Sequence, residues 1–242
     1  MGAIAGVNLR DVKQAAYWVG ILLLVFWLVR IVDSVVPADL TNFGLMPRTA
    51  SGLVGIVTMP LLHADYAQLT ANSISIAILC SLLILVQRSN AWWILAGIWL
   101  GSGAAIWCVG DASTHVGATA LGAGMIGYLI LHGFLNSRPL TIIVAILVAV
   151  FFGSTITSGM FQKVEGPDHW RTYASGFVVG LMMAYLAHRV SPKKSDSPAG
   201  TKQANSAQTD SAQENRAQEN TAQANTAQAN TAQANAGQQT AT

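Results

Sequence analysis

The chain has 242 residues, of which 52% are hydrophobic and only 10% charged, with a mean hydropathy of +0.44. Soluble domains carry about 25% charged residues, so this composition excludes an ordinary water-soluble enzyme and points to a polytopic membrane protein. The net charge of +2 discriminates little, and the two cysteines, Cys80 and Cys108, both lie in apolar runs and read as small buried hydrophobes rather than a disulfide framework.

Residues 1–14 form a short polar N-terminus carrying Arg10 and Lys13, followed by an apolar run over 15–36. A signal-peptide core spans only about 7–15 residues and ends in a small-residue cleavage site. This run is longer and lacks that site, which predicts a retained first transmembrane helix. Arg30 and Asp33 near its far end are expected to snorkel or pair. Residues 37–68 are a semi-apolar loop punctuated by Gly44, Pro47, Gly52, Gly55 and Pro60, expected to lie partly in the interface as short amphipathic helices.

Five further apolar runs, at 69–87, 91–109, 116–135, 139–157 and 172–189, each approach the roughly 20 residues needed to span a bilayer. Connectors at 88–90 and 136–138 are short enough to make hairpins, and Trp92, Trp93 and Trp107 mark the two interfaces of the third run. Six helices, all within a membrane domain over 15–190, put both termini on one side. Arg10, Lys13, Arg88, Arg138, Arg189, Lys193, Lys194 and Lys202 fall on that side, whereas Arg48, Lys163 and Arg171 fall on the other with Arg30 near it. The positive-inside rule then makes both termini cytoplasmic, in a multi-pass membrane protein. From residue 191 to 242 the character changes to SAQTD, SAQEN, RAQEN and TAQAN repeats without aliphatic or aromatic bulk. Such a segment buries too little surface to offset its ordering entropy and is expected to be a disordered cytoplasmic tail.

Three stretches carry chemistry. His115 to Ile130 is apolar enough to cross a membrane yet built from Gly, Ala and Thr, which suits the middle of a bundle. Gly117 and Gly124, seven apart, are expected on one helical face with Ala120 close by, and Thr119 in the first turn, where N–H groups and the positive dipole end gather. Before the second helix stands His63-Ala-Asp-Tyr-Ala-Gln68-Leu-Thr-Ala-Asn72, with Gln68 and Asn72 four apart on one face. The last loop and helix read Trp170-Arg-Thr-Tyr173-Ala-Ser-Gly176-Phe-Val-Val-Gly180.

Together these stretches resemble the rhomboid intramembrane serine proteases. That family carries His-x-Gly-Ala-Ser-Gly at the start of its fourth helix with Gly-Tyr two turns on; here the reading is His115-Val-Gly117-Ala118-Thr119-Ala120, then Gly127-Tyr128. Its His, His, Asn series before the second helix becomes His63, Gln68, Asn72, and its Trp, His, Gly-x-x-x-Gly frame becomes Trp170, Tyr173, Gly176 and Gly180. The Asn42-Phe-Gly, Pro47-Arg48 and Gly52 pattern of the first loop also looks like the bacterial members. The resemblance implies an all-α, six-transmembrane-helix bundle with a lateral gate between the second and fifth helices. It places Thr119 at the nucleophile position, Tyr173 at the general-base position, and Asn72, Gln68 and His63 around an oxyanion or polar cavity. Gly117, Gly124, Gly127, Gly176 and Gly180 would pack the helices. No cofactor, metal or nucleic acid is implied; the partners implied are transmembrane segments of membrane proteins and membrane lipid.

The substitutions bear on catalysis. A serine hydrolase needs a base that is largely unprotonated near neutral pH, as histidine is at about 6.5 and tyrosine at about 10 is not. Threonine adds a methyl group beside its hydroxyl, and threonine nucleophiles are usually N-terminal, whereas Thr119 is internal. Ala123 also stands where the family has an aromatic residue against its catalytic His. Losses of this type cost about 10⁴–10⁶-fold in rate. His169, four residues before Tyr173, is an alternative base by spacing, with His63 and His115 as further alternatives; His132 and His188 read as interfacial residues near the cytoplasmic side. Three readings stand: a pseudoprotease that binds client transmembrane segments, an active intramembrane endopeptidase using Thr119, and a plain helical scaffold.

Overall fold

The computed structural model describes residues 9–136, 138–161 and 170–190, with positions 213, 214, 216, 219 and 220 of the tail. Among the described residues the chain is all-α. A long α1 (Leu9–Val35) leads through 3-10 turns and a one-turn α2 (Gly55–Thr58) to α3 (Tyr66–Gln87) and α4 (Ala91–Val109). Three more follow: α5 (Thr119–Asn136), α6 (Pro139–Phe161) and α7 (Trp170–Val190). The six long helices correspond to the six predicted from the sequence. The tail from Pro192 is a separate unit; Gln213, Glu214, Arg216, Glu219 and Asn220 have helical backbone, and the rest of the predicted disordered segment lies outside the described residues, as do Lys163 and His169.

Boundaries moved where local chemistry differs from hydropathy. The first helix starts at Leu9 rather than near 15, because Asp11 and Lys13 continue the helix without belonging to its apolar part. The fourth starts at Thr119 rather than 116, because Gly117 has φ +103°, a left-handed conformation that ends helical geometry and that side chains rarely adopt. Gly117 is therefore not on a helical face with Gly124. Sharp starts follow from capping: the Asp65 side chain accepts from Gln68 N at the head of α3, and Pro139 opens α6, where its missing N–H costs nothing.

Burial ranks the helices. Two-thirds (67%) of the α5 span is buried, against 17% for α1, so α5 is the central post and α1 a peripheral, lipid-facing helix. Spans Val12–Val35, Tyr66–Gln87, Ala91–Val109, Thr119–Asn136 and Pro139–Ser158 are long and apolar enough to cross a membrane. The sixth long helix, α7, reaches about 31 Å at 1.5 Å per residue but is less apolar, since its interior face is Thr172, Ser175, Gly176, Gly180 and Ala184. That face meets α5 backbone to backbone. A Cβ at Gly176 would stand 2.1 Å from the Ala120 carbonyl oxygen, and one at Gly180 would stand 1.9 Å from that of Gly124. Gly127 lies likewise against the Phe177 carbonyl.

Polar contacts set the remaining seams. Arg48, itself at φ +57°, donates to the carbonyls of Cys108 (3.3 Å) and Gly110 (2.8 Å), and Arg171 donates to that of Val109 (3.2 Å) while pairing with Asp111. Two cations from distant parts of the chain thus cap the C-terminal end of α4, where the helix dipole is negative. On the other flank Arg30 pairs with Asp33 and lies 5.1 Å above the Tyr66 ring, and Trp27 donates to Ser73 Oγ at 3.2 Å, fixing α1 to α3. Cys80 is buried as expected, but Cys108, near the end of α4, is exposed.

The α5–α7 contact makes a direct prediction. Gly180→Ala places a methyl group into the Gly124 backbone and should cost about 1–3 kcal/mol or more, seen as a lower thermal unfolding midpoint in detergent. Gly153→Ala on α6 meets nothing within 4 Å and should leave that midpoint unchanged or raise it.

Candidate functional site

A cleft of about 40 Å³ opens between α3, α5, α6 and α7. Thr119 enters it from the head of α5, Asn72 and Ser75 from α3, Thr155 and Phe152 from α6, and Tyr173 from α7. The α5–α7 glycine seam sets the spacing of the two hydroxyl-bearing residues, while α3 and α6 barely touch each other and leave the cleft between them. No hydrogen bond joins the Thr119 and Tyr173 side chains among the described residues. Asn72 Nδ2 is buried in the cleft wall and has no hydrogen-bond partner. The cleft is lined by hydroxyls, one amide and apolar groups; apart from the tyrosine, none of its lining side chains is titratable.

The other residues singled out in the sequence stand around this cleft rather than in it. Gln68 occupies the third position of α3 and completes a helix cap: its Oε1 accepts from Ala64 N at 2.9 Å, while its own N–H donates to Asp65 at 2.7 Å. Its Nε2 reaches the Val116 carbonyl at 3.4 Å, so the amide joins the head of α3 to the loop before α5. The positive φ of Gly117 makes room for it, since a Cβ there would lie 2.8 Å from Gln68 Nε2 and 3.3 Å from Asn72 Nδ2. His63 is away from the cleft. It is 2% exposed, its ring packs 5.4 Å from that of Phe26 on α1, and Nδ1 faces the Leu61 carbonyl at 3.3 Å. Burial holds its imidazole below the usual pKa of 6.5.

His115 is also buried. Its backbone exchanges hydrogen bonds with Leu45 at 2.8 and 2.9 Å, pinning the first loop beneath the head of α5. Its Nδ1 is hydrogen-bonded at 3.1 Å to the Thr172 hydroxyl. Thr172 was not anticipated; its only signal in the sequence is that it directly precedes the Tyr173 position. Ser75 and Thr155 were missed as well. Ser75 lies one turn past Asn72 on the same helix, and Thr155 sits in a hydroxyl-rich patch, Ser154 to Ser158, in an otherwise apolar helix. Thr157 and Ser158 bond back to their own helix, which leaves Thr155 as the hydroxyl of that patch in the cleft. No group of three His, Cys, Asp or Glu residues comes together among the described residues.

An all-α bundle with long apolar helices and a polar cleft framed by a glycine-bearing α5–α7 seam defines a multi-pass membrane protein. Comparison with known proteins makes the family specific: a rhomboid domain matches residues 50–190, and the chain belongs to the rhomboid family. It is similar to uncharacterized proteins of Mycobacterium tuberculosis and Mycobacterium bovis, each 30% identical over 167 residues, covering 66% of this chain and 70% of theirs. An uncharacterized protein of Mycobacterium leprae is 27% identical over 177 residues, covering 69% of this chain and 70% of its own.

The burial of His63 has a pH consequence. Above its ordinary value of 6.5 the folded and unfolded forms are both neutral and the residue adds no pH dependence. As pH falls through that value the unfolded chain takes up a proton that the buried ring resists, so stability falls. Thermal unfolding of the wild type should therefore lose ground to His63→Phe on acidification, and parallel curves for the two would show the ring to be freely hydrated.

Proposed function

We propose that this chain is a catalytically degenerate rhomboid, a pseudoprotease that holds transmembrane segments of client proteins without cutting them. The observation that carries the reading is the chemistry of the cleft wall. Thr119 has no imidazole, carboxylate or amine beside it in the cleft to take its proton, and Tyr173 makes no hydrogen bond with it. A phenol at about 10 is a poor base near neutral pH. His115, the nearest imidazole in sequence, is engaged with Thr172, and His63 packs against α1. What the cleft retains is binding capacity: the Asn72 amide donor and the hydroxyls of Ser75, Thr119, Thr155 and Tyr173 offer hydrogen bonds to a partially unwound segment entering between α3 and α6.

The same reading places the protein in a bacterial plasma membrane with both termini in the cytoplasm. Support comes from the excess of Arg and Lys at that end, Arg88, Arg138 and Arg189 among them, and from relatives that are all bacterial. The second reading, an active endopeptidase, keeps Thr119 as nucleophile at the head of α5, where first-turn N–H groups lack an intrahelical acceptor.

Reconstituted with a transmembrane substrate that an active rhomboid cuts in parallel, wild type and Thr119→Ala should both give no product. The double change Thr119→Ser with Tyr173→His should gain cleavage, because the packing frame around both positions is intact. A photo-crosslinker at Phe152 should capture a client segment in the wild type. Wild-type product that disappears in Thr119→Ala would sink the pseudoprotease reading and establish Thr119 as the nucleophile.

A further inference from the structure

At the opposite end of α5 from Thr119 the bundle closes on a buried histidine. His132 is 8% exposed, stacks on the Tyr128 ring at 5.2 Å, and has the amides of Gln87 and Asn136 at 2.9 and 2.8 Å from its ring nitrogens. An imidazole was expected at the interface here; instead that level is held by cations around it. Arg138, which directly precedes α6, and His188, in the last turn of α7, both lie within electrostatic reach of the ring. Arg189 follows His188, and its guanidinium donates to the Tyr185 hydroxyl at 2.9 and 2.7 Å and lies 5.2 Å above the Tyr185 ring. Positive charge from two helices is thereby collected over the end of a third.

The helices supply no counter-charge at this end. From Tyr66 to Val190 the acidic residues are Asp111, Glu165 and Asp168, which fall after α4 and between α6 and α7, in the connections at the other end of those helices. Asp11, near the head of α1, has Arg10 and Lys13 beside it in sequence. The segment after Val190 carries Lys193, Lys194, Lys202 and Arg216 against Asp196, Asp210, Glu214 and Glu219, which leaves no surplus of negative charge. At the other end of the bundle the cations are engaged, Arg30 with Asp33, Arg48 with the α4 carbonyls and Arg171 with Asp111. A helix C-terminus attracts cations, which accounts for His188 and Arg189 in the last turn of α7. It does not account for Arg138, which stands before the first residue of a helix.

Position narrows the ligand. Arg138 abuts the apolar span that begins at Pro139, and His188 and Arg189 end α7, so all three stand at the level of the polar headgroups that flank a hydrocarbon core. Beneath them the outer faces of α6 and α7, neighbours in the bundle, are apolar: Leu140 and Ile143 on one and Met182 and Leu186 on the other are exposed. Cations above an apolar wall match a molecule with an anionic head and hydrocarbon chains.

We propose that Arg138, His188 and Arg189 form a headgroup site for an anionic phospholipid, whose phosphate lies over the end of α5 and whose acyl chains lie along α6 and α7. The site does not rest on the reading of the cleft, and its test needs no client. In nanodiscs of equal parts phosphatidylcholine and phosphatidylglycerol, a phosphatidylglycerol with a photoreactive headgroup should label peptides over residues 136–142 and 184–190 above all others. Millimolar inorganic phosphate should leave that labelling unchanged, because the acyl chains hold the lipid. Native mass spectrometry of the full chain released from the same nanodiscs should show retained phosphatidylglycerol, reduced about tenfold in Arg138→Gln with Arg189→Gln. Arg10→Gln with Lys13→Gln removes as much charge from the same end, at the head of α1, and should retain the lipid as the wild type does. Equal losses in the two double variants would reduce the effect to a general attraction of basic ends to anionic membranes and overturn the proposal. Labelling spread evenly onto the head of α1, or lost to inorganic phosphate, would overturn it as well. The labelling needs no substitution, so it decides the matter even where Arg138→Gln with Arg189→Gln fails to fold.

Discussion

The fold depends on one close approach. Where Gly180 meets Gly124 and Gly176 meets Ala120, two helix backbones touch with no side chain between them. In a bilayer the lipid tails are as apolar as leucine, so helices associate by packing and hydrogen bonding rather than by the hydrophobic effect. A backbone-to-backbone seam gains dispersion contact along its length and orders little side-chain entropy. It also fixes the axial register of α7 against α5, and through it the positions of Tyr173 and Thr119. The cleft geometry is a by-product of this seam.

A second constraint acts at the membrane surface. The carbonyls at the end of α4 are gathered by Arg48 from the first loop and Arg171 from α7. The Leu45–His115 bridge then ties that loop to the segment before α5. Loop, α4, α5 and α7 are therefore joined at one level by charge-assisted or backbone hydrogen bonds, while α3 and α6 face each other across the cleft with little contact.

Most of the architecture was legible in the sequence because hydropathy reports span and small-residue spacing reports close packing. The spacing of Gly176 and Gly180, with Gly124, is enough to predict the α5–α7 seam. What could not be read was direction. Gln68 looked like a cavity donor, but a side chain three positions into a helix after Asp65 is claimed by the cap. His63 shares a motif with Asn72 yet turns to α1, since the residue before a capped helix points wherever the preceding turn sends it. Gly117 looked helical because hydropathy carries no information on φ. His132 read as interfacial because, although Tyr128 and Asn136 lie one turn either side of it on α5, only the assembled bundle brings Gln87 from the end of α3 to its ring.

The composition of α7 has a consequence for how the protein is made. A helix whose inner face is Thr172, Ser175, Gly176 and Gly180 carries its apolar bulk on the other side, where Val178, Met182 and Leu186 are exposed. It follows α5 in the chain, so α5 leaves the ribosome first. Its outer face suits partitioning into lipid, whereas its glycine face gains only from assembly, because Gly176 and Gly180 find their contacts on the backbone of α5. The two duties of α7 are thus divided between its faces, lipid outside and a partner backbone inside.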